Sequence, residues 1–222
     1  MGRTLVLSDW DDTLYKTDEF VDEVLRILEE QGLEQLANEI KGEIQQQRDL
    51  NGTSAGYDLV HKLQDHCDML MEKLALTNSE RIFDDAGRFY NKITEMPNVD
   101  FRVWTRGQEL LQQLKLTGTP FAEKVEIFSD KDKTTRFIDK ITIKNSNFLF
   151  EGIWYSRLIM IDNDAKYLED FYRLRDAGVR AQGFLVHHNN ERFIDGFVEE
   201  GVEKMASFDE IDPKLLVEDQ TA

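Results

Sequence analysis

The chain has 222 residues, 41% of them hydrophobic and 10% aromatic, which suits one large domain or a core domain carrying a smaller insert and is too little for a multidomain machine. Lys and Arg number 27 against 44 Asp and Glu, a formal charge of −17 whose field repels polyanions and so excludes a nucleic acid polymer or an anionic membrane as the main partner. A small anion can still be held locally. The single cysteine, Cys67, makes no intramolecular disulfide and reads as a core thiol, and no stretch approaches the ~20 apolar residues of a membrane span, so the expectation is a cytoplasmic monomer or homodimer.

Residues 4–7, Thr-Leu-Val-Leu, form a short apolar run that stops at a cluster of acids, the pattern of a central strand buried on both faces. Four helical patterns then follow with no strand between them. The first carries Phe20, Val21, Val24, Leu25 and Leu28 and ends at Gly32, with its Glu-rich side read as solvated; the second carries Leu33, Leu36, Ala37, Ile40 and Ile44. A loop is expected at 51–56. The third pattern runs from Leu59 through Leu63, Leu70 and Leu74, and the fourth carries Ile82, Phe83, Ala86, Phe89, Tyr90 and Ile93 behind an Asn78-Ser79 cap.

After Pro97 the rhythm changes. Apolar runs at 101–104, 125–128, 158–161 and 183–186 alternate with helical patterns such as Leu110, Leu111 and Leu114, which predicts parallel strands with helices on both faces. The expected fold class is α/β, a Rossmann-like parallel sheet core (residues 1–15 and 97–222) with an all-helical block inserted after the first strand (16–96).

The strongest chemical signal is Ser8-Asp9-Trp10-Asp11-Asp12-Thr13-Leu14. Two carboxylates at i and i+2, where a buried parallel strand ends, stand in the crevice in which open α/β sheets bind ligands. Three acids in four residues repel one another unless a cation holds them, and oxygen-only ligation suits Mg²⁺. An EF-hand is disfavoured by Leu14 in place of the turn glycine and by a strand leading in. Thr105-Arg106-Gly107 follows the second strand at a helix N-terminus, Lys131 and Lys133 follow the third, and Asp162-Asn163-Asp164 follows the fourth.

Acid, hydroxyl, lysine and acid at four successive strand ends resemble the haloacid dehalogenase superfamily. Asp9-x-Asp11-x-Thr13 is similar to its first motif, Thr105 to its second, Lys133 to its third and Asp162 to its fourth; Thr105-Arg106-Gly107 with Lys133-Thr134 is similar to its phosphoglycolate-phosphatase-like and nucleotidase-like branches. The resemblance covers about residues 3–14 and 99–188. The Asp9 to Thr105 interval, 96 residues, exceeds one strand–helix crossover by about the size of the helical block, which makes 16–96 look like a helical cap of the first type.

The resemblance implies a Mg²⁺-dependent phosphohydrolase acting on a small phosphorylated metabolite. Asp9 would be the nucleophile that becomes an aspartyl-phosphate and Asp11 the acid and base. Thr105, Arg106 and Lys133 would bind phosphate, and Asp9, the Asp11 carbonyl and Asp162 the metal, with Asp164 a candidate helper. Lys133 is preferred to Lys131 for its pairing with Thr134. An acid at i+2 favours phosphorus chemistry over halide displacement; a phosphomutase and a non-catalytic binding module of the same fold remain as alternatives. His187-His188 reads as surface loop because adjacent side chains on an extended segment point apart, and Phe148, Phe150, Trp154 and Tyr155 read as packing.

Overall fold

The computed structural model describes residues 2–51, 59–128, 133–168, 171–188 and 202–216. In chain order its regular elements begin with β1 (Thr4–Ser8), α1 (Thr17–Glu30), α2 (Glu34–Asn51), α3 (Val60–Leu63), α4 (Cys67–Leu74), α5 (Asp84–Thr94), β2 (Val99–Arg106) and α6 (Glu109–Leu116). They continue with β3 (Val125–Phe128), α7 (Lys133–Asp139), β4 (Thr142–Lys144), β5 (Asn147–Phe150), β6 (Ile153–Tyr155), β7 (Arg157–Asp162), α8 (Phe171–Asp176), β8 (Arg180–Val186) and β9 (Val202–Met205). Of the loop expected at 51–56, all but Asn51 lies outside the described residues, as does Lys131. No helix among the described residues is long and apolar enough to cross a membrane.

The chain divides into two compact units, one of Met1–Tyr15, Ile82–Arg106 and Lys124–Ala222, the other of Lys16–Arg81 and Gly107–Glu123. By this division α5 groups with the sheet and α6 with the helices, whereas the block drawn along the sequence runs from 16 to 96.

The first unit is a Rossmann-like α/β fold. Its sheet has strand order β3-β2-β1-β7-β8-β9, and every neighbouring pair is parallel. Every residue of β1 is buried, which is why Leu5-Val6-Leu7 reads as one continuous apolar run. The chain winds outward from β1 through β2 to β3, then returns to the other side of β1 as β7. The crevice at the carboxyl ends of β1 and β7 is therefore the switch point where such sheets bind ligands.

A small antiparallel sheet, β4-β5-β6, precedes β7 and was not legible as strands. Its two connections have two residues each, Asn145-Ser146 at φ 52° and 62° and Glu151-Gly152 at φ 47° and 79°. Positive φ at both positions is the I′ arrangement that matches strand twist, but Asn-Ser and Glu-Gly are weaker signals for it than Asn-Gly. Phe148, Phe150 and Tyr155 of this sheet are buried as expected, while Trp154 is 47% exposed. The Tyr155 hydroxyl donates to Asp100 Oδ2 at 2.9 Å, and burial first and this hydrogen bond second hold its proton well above the usual phenol range.

The second unit is helical. α1 ends as its Gly32 predicts: Gly32, at φ 74°, donates its N–H to Glu29 O at 3.0 Å and Leu33 donates to Leu28 O at 2.9 Å, the paired closure that needs a left-handed residue. The third pattern is not one helix but α3, a 3-10 turn at Gln64–His66 and α4, although Leu63, Leu70 and Leu74 are all fully buried across the break. Cys67, expected in the core, is only half-buried, and burial raises its thiol above the usual value. The Asn78 cap is corrected as well. α5 starts six residues later, at Asp84, and the Asn78 amide instead donates to Leu114 O at 2.7 Å and Thr117 O at 3.0 Å, satisfying carbonyls at the end of α6.

The side of α1 read as solvated holds one buried acid. Glu23 pairs with Arg26 at 2.8 Å and Arg81 at 3.2 Å and accepts from the Thr77 hydroxyl at 3.1 Å. The Arg26 hydrogen bond above all, opposed by burial and aided by Thr77 and Arg81, lowers its pKa to about 2. A folded-state pKa below the unfolded one contributes stability above the unfolded value that is lost as the pH falls. Acid titration of the fold should therefore show Glu23 costing about 1–3 kcal/mol between pH ~4.5 and ~2, and Glu23→Gln should remove that segment of the pH–stability curve.

Candidate active site

The site lies in the sheet unit. Asp9 prolongs β1 by one rung, its N–H donating to Ile161 O at 2.8 Å, and the chain then folds back on itself. The Trp10 carbonyl accepts from Thr13 N at 3.4 Å, Leu14 N at 3.0 Å and Tyr15 N at 3.0 Å, while Asp12, at φ 57°, donates its N–H to Tyr15 O at 2.8 Å. Trp10, fully buried, stacks on Tyr15 with centroids 4.7 Å apart. The fully buried Thr13 donates its hydroxyl to Asp9 Oδ2 at 3.2 Å. This turn fixes the Asp9 carboxylate at the mouth of the sheet, 7% exposed, and leaves Asp11 half-buried.

Asp162 closes β7, fully buried. Because Ser8 pairs with Ile161, the next residues of the two strands, Asp9 and Asp162, stand side by side. Asp162 Oδ1 accepts from Asp164 N at 3.0 Å; Asp164 in turn accepts from Lys166 N at 3.0 Å and caps the 3-10 turn Ala165–Tyr167, so one of its oxygens is committed to that turn. Two buried carboxylates on adjacent strands repel one another, and a cation between them lowers that cost. Among the described residues no group of three or more His, Cys, Asp and Glu side chains forms a metal cage.

On the other side of β1, Thr105 lies two residues beyond the Ser8–Val103 pair. It is 1% exposed, and its hydroxyl finds no hydrogen-bond partner among the described residues. Arg106, next to it, lays its guanidinium over the Tyr167 ring at 5.5 Å. Lys133 is the first residue of α7, which follows β3; its side chain lies outside what is described. The expected residues of β1, β2 and β7 thus meet at one end of the sheet.

Two residues escaped the sequence reading. Tyr167, which orients Arg106, sits in a turn that no periodicity marks. His188, read as surface loop, is turned inward: its side chain is 12% exposed and its Nε2 lies 2.7 Å from the Thr13 carbonyl. No local signal could have shown this, since the contact spans 175 residues.

Among solved structures the chain is similar to a haloacid dehalogenase-like hydrolase of Burkholderia xenovorans, at TM-score 0.62 and 14% identity over 98% of this chain and 100% of that one. It carries the haloacid dehalogenase-like fold. The magnesium-bound hydrolase YfnB of Bacillus subtilis is also similar, at TM-score 0.51 and 14% identity over 95% of this chain and 97% of that one. No protein-family model matches the sequence, and no curated protein does. In the haloacid dehalogenase-like fold of this chain, Asp9 follows β1, Thr105 is the last residue but one of β2, Asp162 ends β7 and Lys133 opens α7.

Proposed function

We propose that the protein is a Mg²⁺-dependent phosphohydrolase of small phosphate monoesters. The observation that carries this reading is the pairing of buried Asp9 and Asp162 on adjacent strand ends, with Thr105, a buried hydroxyl without a partner among the described residues, on the strand across β1. The donor chemistry fits the metal: two carboxylates and the Asp11 carbonyl are all hard oxygen donors, and Mg²⁺ keeps its other places for water and phosphate. When bound, Mg²⁺ supplies positive charge against the repulsion between an anionic nucleophile and a phosphate dianion.

The remaining steps belong to the chain. An Asp9 oxygen attacks phosphorus in line, and the ester P–O bond breaks as Asp11 gives its proton to the departing alkoxide. Water then attacks the aspartyl-phosphate, Asp11 takes its proton, and the P–O bond to Asp9 breaks to return the carboxylate and release inorganic phosphate. Thr105 and Arg106 hold the equatorial oxygens, together with Lys133, which balances their charge. Substrate selection is assigned in this reading to the helical block of residues 16–96, inserted after the first strand.

Hydrolysis of p-nitrophenyl phosphate, followed by a panel of phosphorylated sugars and nucleosides, should proceed with Mg²⁺ and stop in excess EDTA; full turnover after exhaustive metal removal would contradict the reading. Thr105→Val tests the same site from the side of stability. The isosteric change removes a buried hydroxyl that has no partner among the described residues, so stability should hold or rise by up to about 1–3 kcal/mol, while kcat/KM falls by about tenfold or more. Thermal melts beside kinetics check both halves. A variant that loses stability and keeps its rate would place the hydroxyl outside the reaction.

A further inference from the structure

We propose that His188 is a positioning residue for the turn that carries Asp9. A carbonyl oxygen only accepts, so the 2.7 Å contact between His188 Nε2 and Thr13 O fixes the proton on Nε2 and makes the imidazole the donor. The same Thr13 donates its hydroxyl to Asp9 Oδ2 at 3.2 Å. Imidazole, Thr13 and carboxylate are thus joined in sequence, and the ring reaches the nucleophile through one residue.

The ring itself is held on three sides. Phe83 stacks on it, centroids 3.8 Å apart and planes 9° from parallel, and Phe208 meets it tilted at 6.0 Å. Asp85 Oδ2 faces Nδ1 at 3.7 Å and is itself held by the Phe208 N–H at 2.8 Å. At 3.7 Å, with the ring proton on Nε2, Asp85 makes no hydrogen bond to Nδ1; its carboxylate lies behind the ring, and the two aromatic rings fix the ring plane. His188 stands at φ 45°, a left-handed conformation that costs a non-glycine residue free energy. Phe83 adds a second clamp, its N–H donating to Leu14 O at 3.0 Å. Segments near residues 13, 83–85, 188 and 208 therefore converge to hold one turn. A surface loop needs none of this.

The catalytic consequence rests on Asp9 being the nucleophile; the structural one does not, and two readouts separate them. His188→Phe keeps the stacking surface and loses the donor, whereas His188→Gln places an amide N–H near the position of Nε2. Hydrogen exchange at the Thr13, Leu14 and Tyr15 amides and steady-state kinetics with p-nitrophenyl phosphate are measured on wild type and both variants. His188→Phe should speed exchange in that turn and lower kcat by about tenfold, the worth of one ordinary hydrogen bond, with KM nearly unchanged. His188→Gln should restore both. Should His188→Phe fail to fold, Asp85→Asn, which keeps an acceptor for Phe208 N–H and removes the charge behind the ring, should shift both readouts the same way.

Wild-type exchange and kcat in His188→Phe would overturn the proposal, as would a His188→Gln variant no better than His188→Phe. So would loss of folded protein with undiminished kcat in what remains. If the wild type hydrolyses no phosphate ester, the reading of the function has failed and the exchange comparison alone decides the role of His188.

Discussion

Asp9→Asn is expected to abolish hydrolysis. An amide oxygen has neither the charge nor the basicity to attack phosphorus. The fold should survive. Asparagine is close to isosteric, its carbonyl oxygen can accept from the Thr13 hydroxyl as Asp9 Oδ2 does at 3.2 Å, and the backbone rung from residue 9 to Ile161 is untouched. Removing one of two adjacent buried charges also relieves repulsion with Asp162, so the melting temperature without metal should stay level or rise. A folded, inert variant is the expected outcome, and a folded variant with substantial turnover would assign the nucleophile elsewhere.

Asp11→Asn should fail differently. The residue is half-buried, at the open side of the turn, and its assigned metal contact is the backbone carbonyl, which the substitution leaves in place. Metal and phosphate binding should therefore persist, while the rate falls by the ~10² to 10⁴ that loss of a general acid–base group costs. The loss should depend on the leaving group. An ester with a poor alkoxide needs the proton most, and p-nitrophenolate leaves with little help, so the variant should discriminate between them more than wild type at the phosphorylation step. Full activity on an alkyl phosphate would remove Asp11 from that role.

What the sequence disclosed and what it hid follow from range of contact. Strands buried on both faces announce themselves as apolar runs, so β1, β7 and the buried parts of β2 and β8 were legible. β3, an edge strand whose Val125, Glu126 and Ile127 are half-buried, showed as a shorter run. The acids and the hydroxyl near the strand ends marked the crevice because parallel strands all present their carboxyl ends on one side. The α1 stop at Gly32 was legible for the same local reason. Glu23 was not: its helical position matches a solvated face, and Thr77 and Arg81, 54 and 58 residues away in sequence, make it a buried partner. Asn78 looked like a cap because its type suits one, yet the carbonyls it satisfies belong to α6. Reading His187-His188 as surface loop missed the inward turn of His188, whose backbone stands at φ 45° and whose ring meets the Thr13 carbonyl. Thr13 was legible as part of a motif; that its hydroxyl serves Asp9 while its carbonyl is held by His188 required three dimensions.

The aspartyl-phosphate on Asp9 is the claim on which the rest depends, and chemical trapping reads it directly. The enzyme is mixed with substrate and Mg²⁺, quenched in acid within one turnover and reduced with borohydride, which converts an acyl phosphate to the alcohol and leaves free carboxylates alone. Peptide mapping should find homoserine at position 9 and aspartate at positions 11, 12 and 162, with no conversion when substrate is omitted. Conversion at another acid, or turnover with position 9 always recovered as aspartate, would contradict covalent catalysis by Asp9.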